Sequence, residues 1–121
     1  MNNFNEAQRR FLEGAFISRF EAVQKDVHAN AVKHGFLAEP INDAAEIAGM
    51  MAELGEALQA LRNGNPESAN IYGFSSATEE LADLIMRAMS YAEERGFEVA
   101  GAIVAKHEFN KTRPYKHGKE F

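Results

Sequence analysis

Apolar residues recur along this chain every three or four positions, and no stretch alternates β-branched residues as a half-buried strand would, so helices are the structure it can build. From about Asn5 to His34 the series Phe11, Ala15, Ile17, Phe20, Val23, Val27 and Ala31 predicts one long helix, which Gly14 could bend and His34-Gly35 would stop. Pro40 keeps the following connector from joining the next helix. Asn42 or Asp43 then caps a second helix carrying Ile47, Met50, Met51, Leu54, Leu58 and Leu61, which ends at Asn63-Gly64. After the loop NGNPESANIYGFSS, Ser75 or Ser76 caps a third helix carrying Leu81, Leu84, Ile85, Ala88, Met89 and Ala92, which stops at Arg95-Gly96. A fourth runs from Val99 to about Asn110, and an irregular tail follows Pro114. The expected class is all-α, a four-helix bundle with short connections.

The 121 residues fit one domain able to bury its own core, spanning 1–121 with a basic tail over about 111–121. With no cysteine, neither a disulfide nor a thiolate metal site nor a cysteine nucleophile is available, and any metal must be held by oxygen or imidazole. The first residues, MNNFNEAQRRFLEGAF, lack the apolar run of a signal peptide, and no stretch of about 18 apolar residues could span a membrane. The expected setting is the cytoplasm, with no membrane partner. A net charge of −5 speaks against nucleic acid as a partner.

That charge is unevenly spread. The second helix contains AELGE at Ala52 to Glu56, and the third contains EELAD at Glu79 to Asp83. Positions i and i+3 lie about 60° apart and one turn up a helix, so Glu53 with Glu56, and Glu80 with Asp83, can each converge on one point. Glu53 and Glu56 lie off the Leu54/Leu61 stripe, on a side shared with Glu46, Gly49, Ala57 and Ala60, and no lysine or arginine occurs between Glu39 and Leu61. Only Arg87 could neutralise the third helix's pair locally. One such pair is ordinary on a solvated face, but two on adjacent helices can surround a hard divalent cation such as Mg²⁺, with Mn²⁺ as the alternative.

A cation held this way takes its remaining ligands from water and phosphate, and phosphate needs cationic anchors. The chain concentrates its bases at Lys106, Lys111, Arg113, Lys116 and Lys119. Taken alone, such a run is a solubilising tail, yet its Asn, Tyr, Pro and Phe content predicts a docked segment.

With these residues in view, the chain from about Asp43 onward resembles the MazG-like nucleoside triphosphate pyrophosphohydrolases of the all-α NTP pyrophosphatase superfamily. Their hallmark is EExxE followed by ExxD. Here the first block reads Ala52-Glu53-Leu54-Gly55-Glu56, with Ala52 replacing the leading Glu, and the second reads Glu80-Leu81-Ala82-Asp83. Lys106, Asn110 and Arg113 match the family's K-x3-N-x2-R segment. The resemblance implies a MazG fold, a homodimer or homotetramer, and metal ligation by Glu53, Glu56, Glu80 and Asp83. It further implies phosphate binding by Lys106, Asn110 and Arg113, with Glu53 or Glu56 as the catalytic carboxylate that orients water. The implied reaction is Mg²⁺-dependent cleavage of a (deoxy)nucleoside triphosphate into monophosphate and pyrophosphate, serving nucleotide-pool control.

VHANAVKHGF looks like the segment that helps form the base pocket in relatives. Within it, Asn30 is the residue expected to read a base edge, because an amide offers donor and acceptor together. His28 and His34 are expected at the surface or at a cap, and Phe36 in the core rather than stacked on a base. Two other readings compete: a phosphoribosyl-ATP pyrophosphohydrolase, which shares the acidic motif, and a noncatalytic helical module whose acidic face meets a basic partner.

Overall fold

The protein is described here from a computed structural model, which covers residues 3–121. Four helices follow one another, α1 (Glu6–Lys33), α2 (Asp43–Arg62), α3 (Ser76–Arg95) and α4 (Val99–Lys111), and a short 3-10 turn covers Tyr115–Gly118. Among the described residues there is no strand, only an isolated bridge between Glu67 and Ser75. Helix α1 runs unbroken through Gly14.

Local chemistry sets the helix ends. The Asn5 side chain accepts from the Gln8 amide while Gln8 reaches back to the Asn5 amide, a reciprocal cap that satisfies two otherwise orphaned donors. Asn42 caps α2 through Ala45, Ser75 caps α3 through Thr78, and Gly96 closes α3 at φ 69°, a left-handed turn glycine adopts without strain. The loop between α2 and α3 is tied down from inside. Glu79, in the first turn of α3, accepts from the Ser68 hydroxyl and from Asn70, and the Ala77 amide donates to Asn65 Oδ1 at 2.9 Å.

Helices α2 and α3 form an antiparallel hairpin. Asp43, at the start of α2, accepts from Tyr91 and Arg95 near the end of α3, at 2.6 and 2.8 Å. Glu53, mid-way along α2, meets Arg87. Helix α1 lies against α3, joined by Gln24 to Glu93 at 2.9 Å and by His28, which spans Ser90 at 3.1 Å and Glu94 at 2.8 Å. Helix α4 packs on α1.

The hairpin interior is built from small side chains. Helix α2 buries Glu53, Ala57 and Ala60, and α3 buries Ala77, Met89, Ser90 and Ala92. The apolar stripe that the sequence marks on α2 points elsewhere: Ile47, Met51, Leu54, Leu58 and Leu61 are all exposed, Met51 at 66%. On α3, Leu81, Ile85 and Met86 are exposed as well. Small residues let two helix backbones approach closely, and the acidic side of α2 is its small side. The larger residues are thereby left on the outside of the hairpin. Phe36 is also exposed rather than in the core, at 59%.

Candidate metal centre

Close packing of α2 on α3 brings three of the four predicted carboxylates together. One carboxylate oxygen each from Glu53, Glu80 and Asp83 lies within 4.8 Å of the others. Glu53 is 7% exposed, seated between the small residues that define the hairpin interface. Its Oε1 accepts from Arg87 Nε at 2.7 Å, while its Oε2 is buried without a partner among the described residues, as is Oε2 of Glu80. Glu56 is exposed, outside the group of three, and its negative charge bears on Glu80.

The electrostatics follow from this crowding. Burial, then hydrogen bonds and like charge from Glu56 and Glu53, push the Glu80 carboxyl up to about 7. Burial, then the negative charge of Glu53 and Glu79, also raises Asp83. Glu53 goes the other way: burial alone would raise it, but hydrogen bonds led by Arg87 outweigh burial and hold it below the usual carboxylate range. One carboxylate is thus fixed as an anion, and its neighbours resist ionising beside it.

These residues fit a hard divalent cation. The donors are all carboxylate oxygens, the set preferred by Mg²⁺ and Mn²⁺ over softer metals. Two buried carboxylate oxygens without a donor are costly to leave unpaired, and a cation would satisfy both at once. Beside the cluster lies a cavity of about 340 Å³, large enough for a small-molecule ligand. Val27, Ala31, Phe36, Leu37 and Met86 form its apolar wall, and Glu46, Arg87 and Ser90 add polar groups next to Glu53 and Asp83.

The predicted phosphate ligands lie elsewhere. Lys106 Nζ and Arg113 Cζ sit 4.6 and 5.7 Å from the Phe109 ring centroid, cations resting on an aromatic face. Asn110 is half-buried, with its Oδ1 unpartnered. Helix α1 serves as a ruler. His107 and Glu108 of α4 border Leu12 and Phe16, whereas the acidic cavity borders Val27 and Ala31. At 1.5 Å per residue these stations are about 20 Å apart, so within one chain the basic set does not reach the acidic set.

Asn30 is exposed and does not line the cavity; its carbonyl accepts from His34, whose ring and amide close the end of α1. His28 is engaged between α1 and α3. Two neighbours of the cluster gain importance that the sequence does not give them. Phe36 borders the cavity, and Arg87 is bonded to the most buried carboxylate. The signal for Arg87 was its spacing, one turn beyond Asp83 as the lone base between Ser76 and Glu94. No protein-family model, curated protein or solved structure matches the chain.

Proposed function

We propose that this protein is a Mg²⁺-dependent nucleoside triphosphate pyrophosphohydrolase, with Mn²⁺ as an alternative metal. The observation that carries the reading is the convergence of Glu53, Glu80 and Asp83 on one point, two of them with a buried and unpartnered carboxylate oxygen, at the edge of a ligand-sized cavity. The EELAD and KxxxNxxR motifs add the substrate class. A metal bound there would supply charge stabilisation at the phosphate oxygens and a more acidic water.

The chain's own groups then have distinct tasks. Glu53, Glu80 and Asp83 hold the cation, and Arg87 keeps Glu53 ionised. Glu56, exposed at the rim and not bound to a base, takes the proton of the attacking water. Oxygen attacks the α-phosphorus, the bond from that phosphorus to the bridging oxygen breaks, and pyrophosphate departs. Phe36 and the Val27/Ala31 wall offer the base an apolar bed that excludes water.

We further propose that the working form is a homodimer or homotetramer in which Lys106, Asn110 and Arg113 of another copy approach the acidic cluster. Two observations support it. Met51, Leu54, Leu58 and Leu61 on α2 and Leu81 and Ile85 on α3 are all exposed. The chain exposes 9180 Å², against roughly 6,500 Å² for a compact chain of this mass, an excess of the size obligate interfaces remove.

The test is incubation of the purified protein with ribo- and deoxynucleoside triphosphates, with and without Mg²⁺, beside a Glu56→Gln variant. Monophosphate and pyrophosphate are expected, lost without metal and reduced in the variant. Diphosphate and orthophosphate as products would overturn the cleavage site. No turnover of any triphosphate, or of phosphoribosyl-ATP, by folded protein would overturn the enzymatic reading in favour of a binding module.

A further inference from the structure

The site contains a cation of its own, and its placement implies selectivity for the form in which metal arrives. Arg87 donates through Nε to Glu53 Oε1 at 2.7 Å, and Glu53 Oε2 has no partner among the described residues. Its guanidinium sits against α2 at Gly49. A Cβ there would fall 2.9 Å from Nη1 and 3.5 Å from Cζ, so a residue other than glycine would make the guanidinium shift. Glycine is a poor residue inside a helix, and the seat it leaves for Arg87 is a physical reason for one here.

The rest of the fork is unused. Among the described residues, Nη1 and Nη2 donate to no protein acceptor, and Arg87 is the basic residue lining the acidic cavity. A guanidinium with free N–H groups on a residue that borders the cavity suits phosphate oxygens, in cis and independently of Lys106, Asn110 and Arg113.

We infer that Arg87, seated by Gly49, biases the acidic cluster against free divalent cation and toward cation already bound to a polyphosphate. The inference rests on the metal-site reading above. The reason is the sign of the charges. Glu53, Glu80 and Asp83 attract a bare cation, but Arg87 repels it and already satisfies part of Glu53. A magnesium–triphosphate complex carries net negative charge, so the same guanidinium attracts it and donates to it. Removing the guanidinium therefore moves the two affinities in opposite directions, which a purely structural role would not do.

The experiment is calorimetric titration of the full chain with MnCl₂ alone and, separately, with an α,β-methylene triphosphate analogue in excess Mg²⁺. Wild type is compared with Arg87→Met, Gly49→Ala and Glu53→Gln. For Arg87→Met, Mn²⁺ binding is expected to tighten by about threefold or more and analogue binding to weaken by about tenfold, the scale of one charge-assisted contact. Gly49→Ala keeps the charge but displaces it, so both effects should recur with the same signs and smaller size. That variant carries the test if Arg87→Met fails to fold, since alanine favours the helix. Loss of both affinities in folded Arg87→Met, or no change in either, would overturn the inference while leaving the metal site standing. Failure of the wild type to bind Mn²⁺, or equal binding by Glu53→Gln, would overturn the metal site itself and the inference with it.

Discussion

The two sides of the α2–α3 hairpin invert the usual arrangement. The inner side is acidic and small, with Glu53, Ala57 and Ala60 buried, while the outer side carries Met51, Leu54, Leu58 and Leu61 in the open. Polarity alone would place leucine inside and glutamate outside. Size and chemistry decide otherwise: alanine allows close approach, close approach brings the carboxylates together, and Arg87 with a cation can offset their charge. The leucine face is thereby left exposed. On the function proposed above, the inner side serves ligand binding and the outer side association.

The largest effect expected of breaking this division is at the inner face. Glu53→Gln removes the one carboxylate held ionised in the interior, and nucleotide hydrolysis is expected to fall by about a thousandfold, as for loss of a principal charge-stabilising group. Retained helicity by circular dichroism with unchanged turnover would break the assignment of the inner face. At the outer face, Leu58→Asp should dissociate the proposed homo-oligomer, with a dissociation constant raised by about a hundredfold, the scale of a hot-spot loss. Light scattering reads this directly, and an unchanged mass would break the assignment of the outer face.

Ala57→Leu tests whether smallness rather than polarity sets the inner packing. Overfilling the α2–α3 contact should destabilise the chain by about 1–3 kcal/mol in chemical denaturation.

The smallest and most specific effect is on pH. Glu80 is raised from 4.5 to about 7, so between these values the folded protein holds a proton that the unfolded chain has released. Stability of the metal-free protein should therefore be greatest near pH 4.5 as far as Glu80 is concerned, and decline as pH rises through about 7. Asp83, also raised, adds in the same direction, and Glu53, lowered, opposes it at more acidic pH. Saturating Mg²⁺ should flatten the decline, since it favours the ionised cluster. Thermal melts from pH 5 to 8 with and without Mg²⁺ test this, and parallel curves would remove the link between Glu80 and the cation.

Much of this was legible in the residues one at a time. Helix ends depend on local chemistry, so Asn42, Ser75 and Gly96 mark them in the sequence, and the structure places them there. The i,i+3 acidic pairs were legible for the same reason, since helix geometry fixes which neighbours share a side. Which side turns inward was not legible, because an amphipathic pattern separates two faces without saying which neighbour covers each.

The sequence by itself determined the four helices, the N-caps of α2 and α3, the stops of α1, α2 and α3, and an unneutralised acidic side on α2, all consequences of interactions within a few residues. Tertiary structure alone decided that the acidic side faces α3, that Arg87 reaches Glu53 across 34 positions of chain, and that Lys106, Asn110 and Arg113 lie at the far end of α1. Those outcomes depend on how closely two backbones approach and along which register. Such quantities are set by the summed size of facing side chains and by the length of a 28-residue helix used as a spacer, not by any residue's own preference.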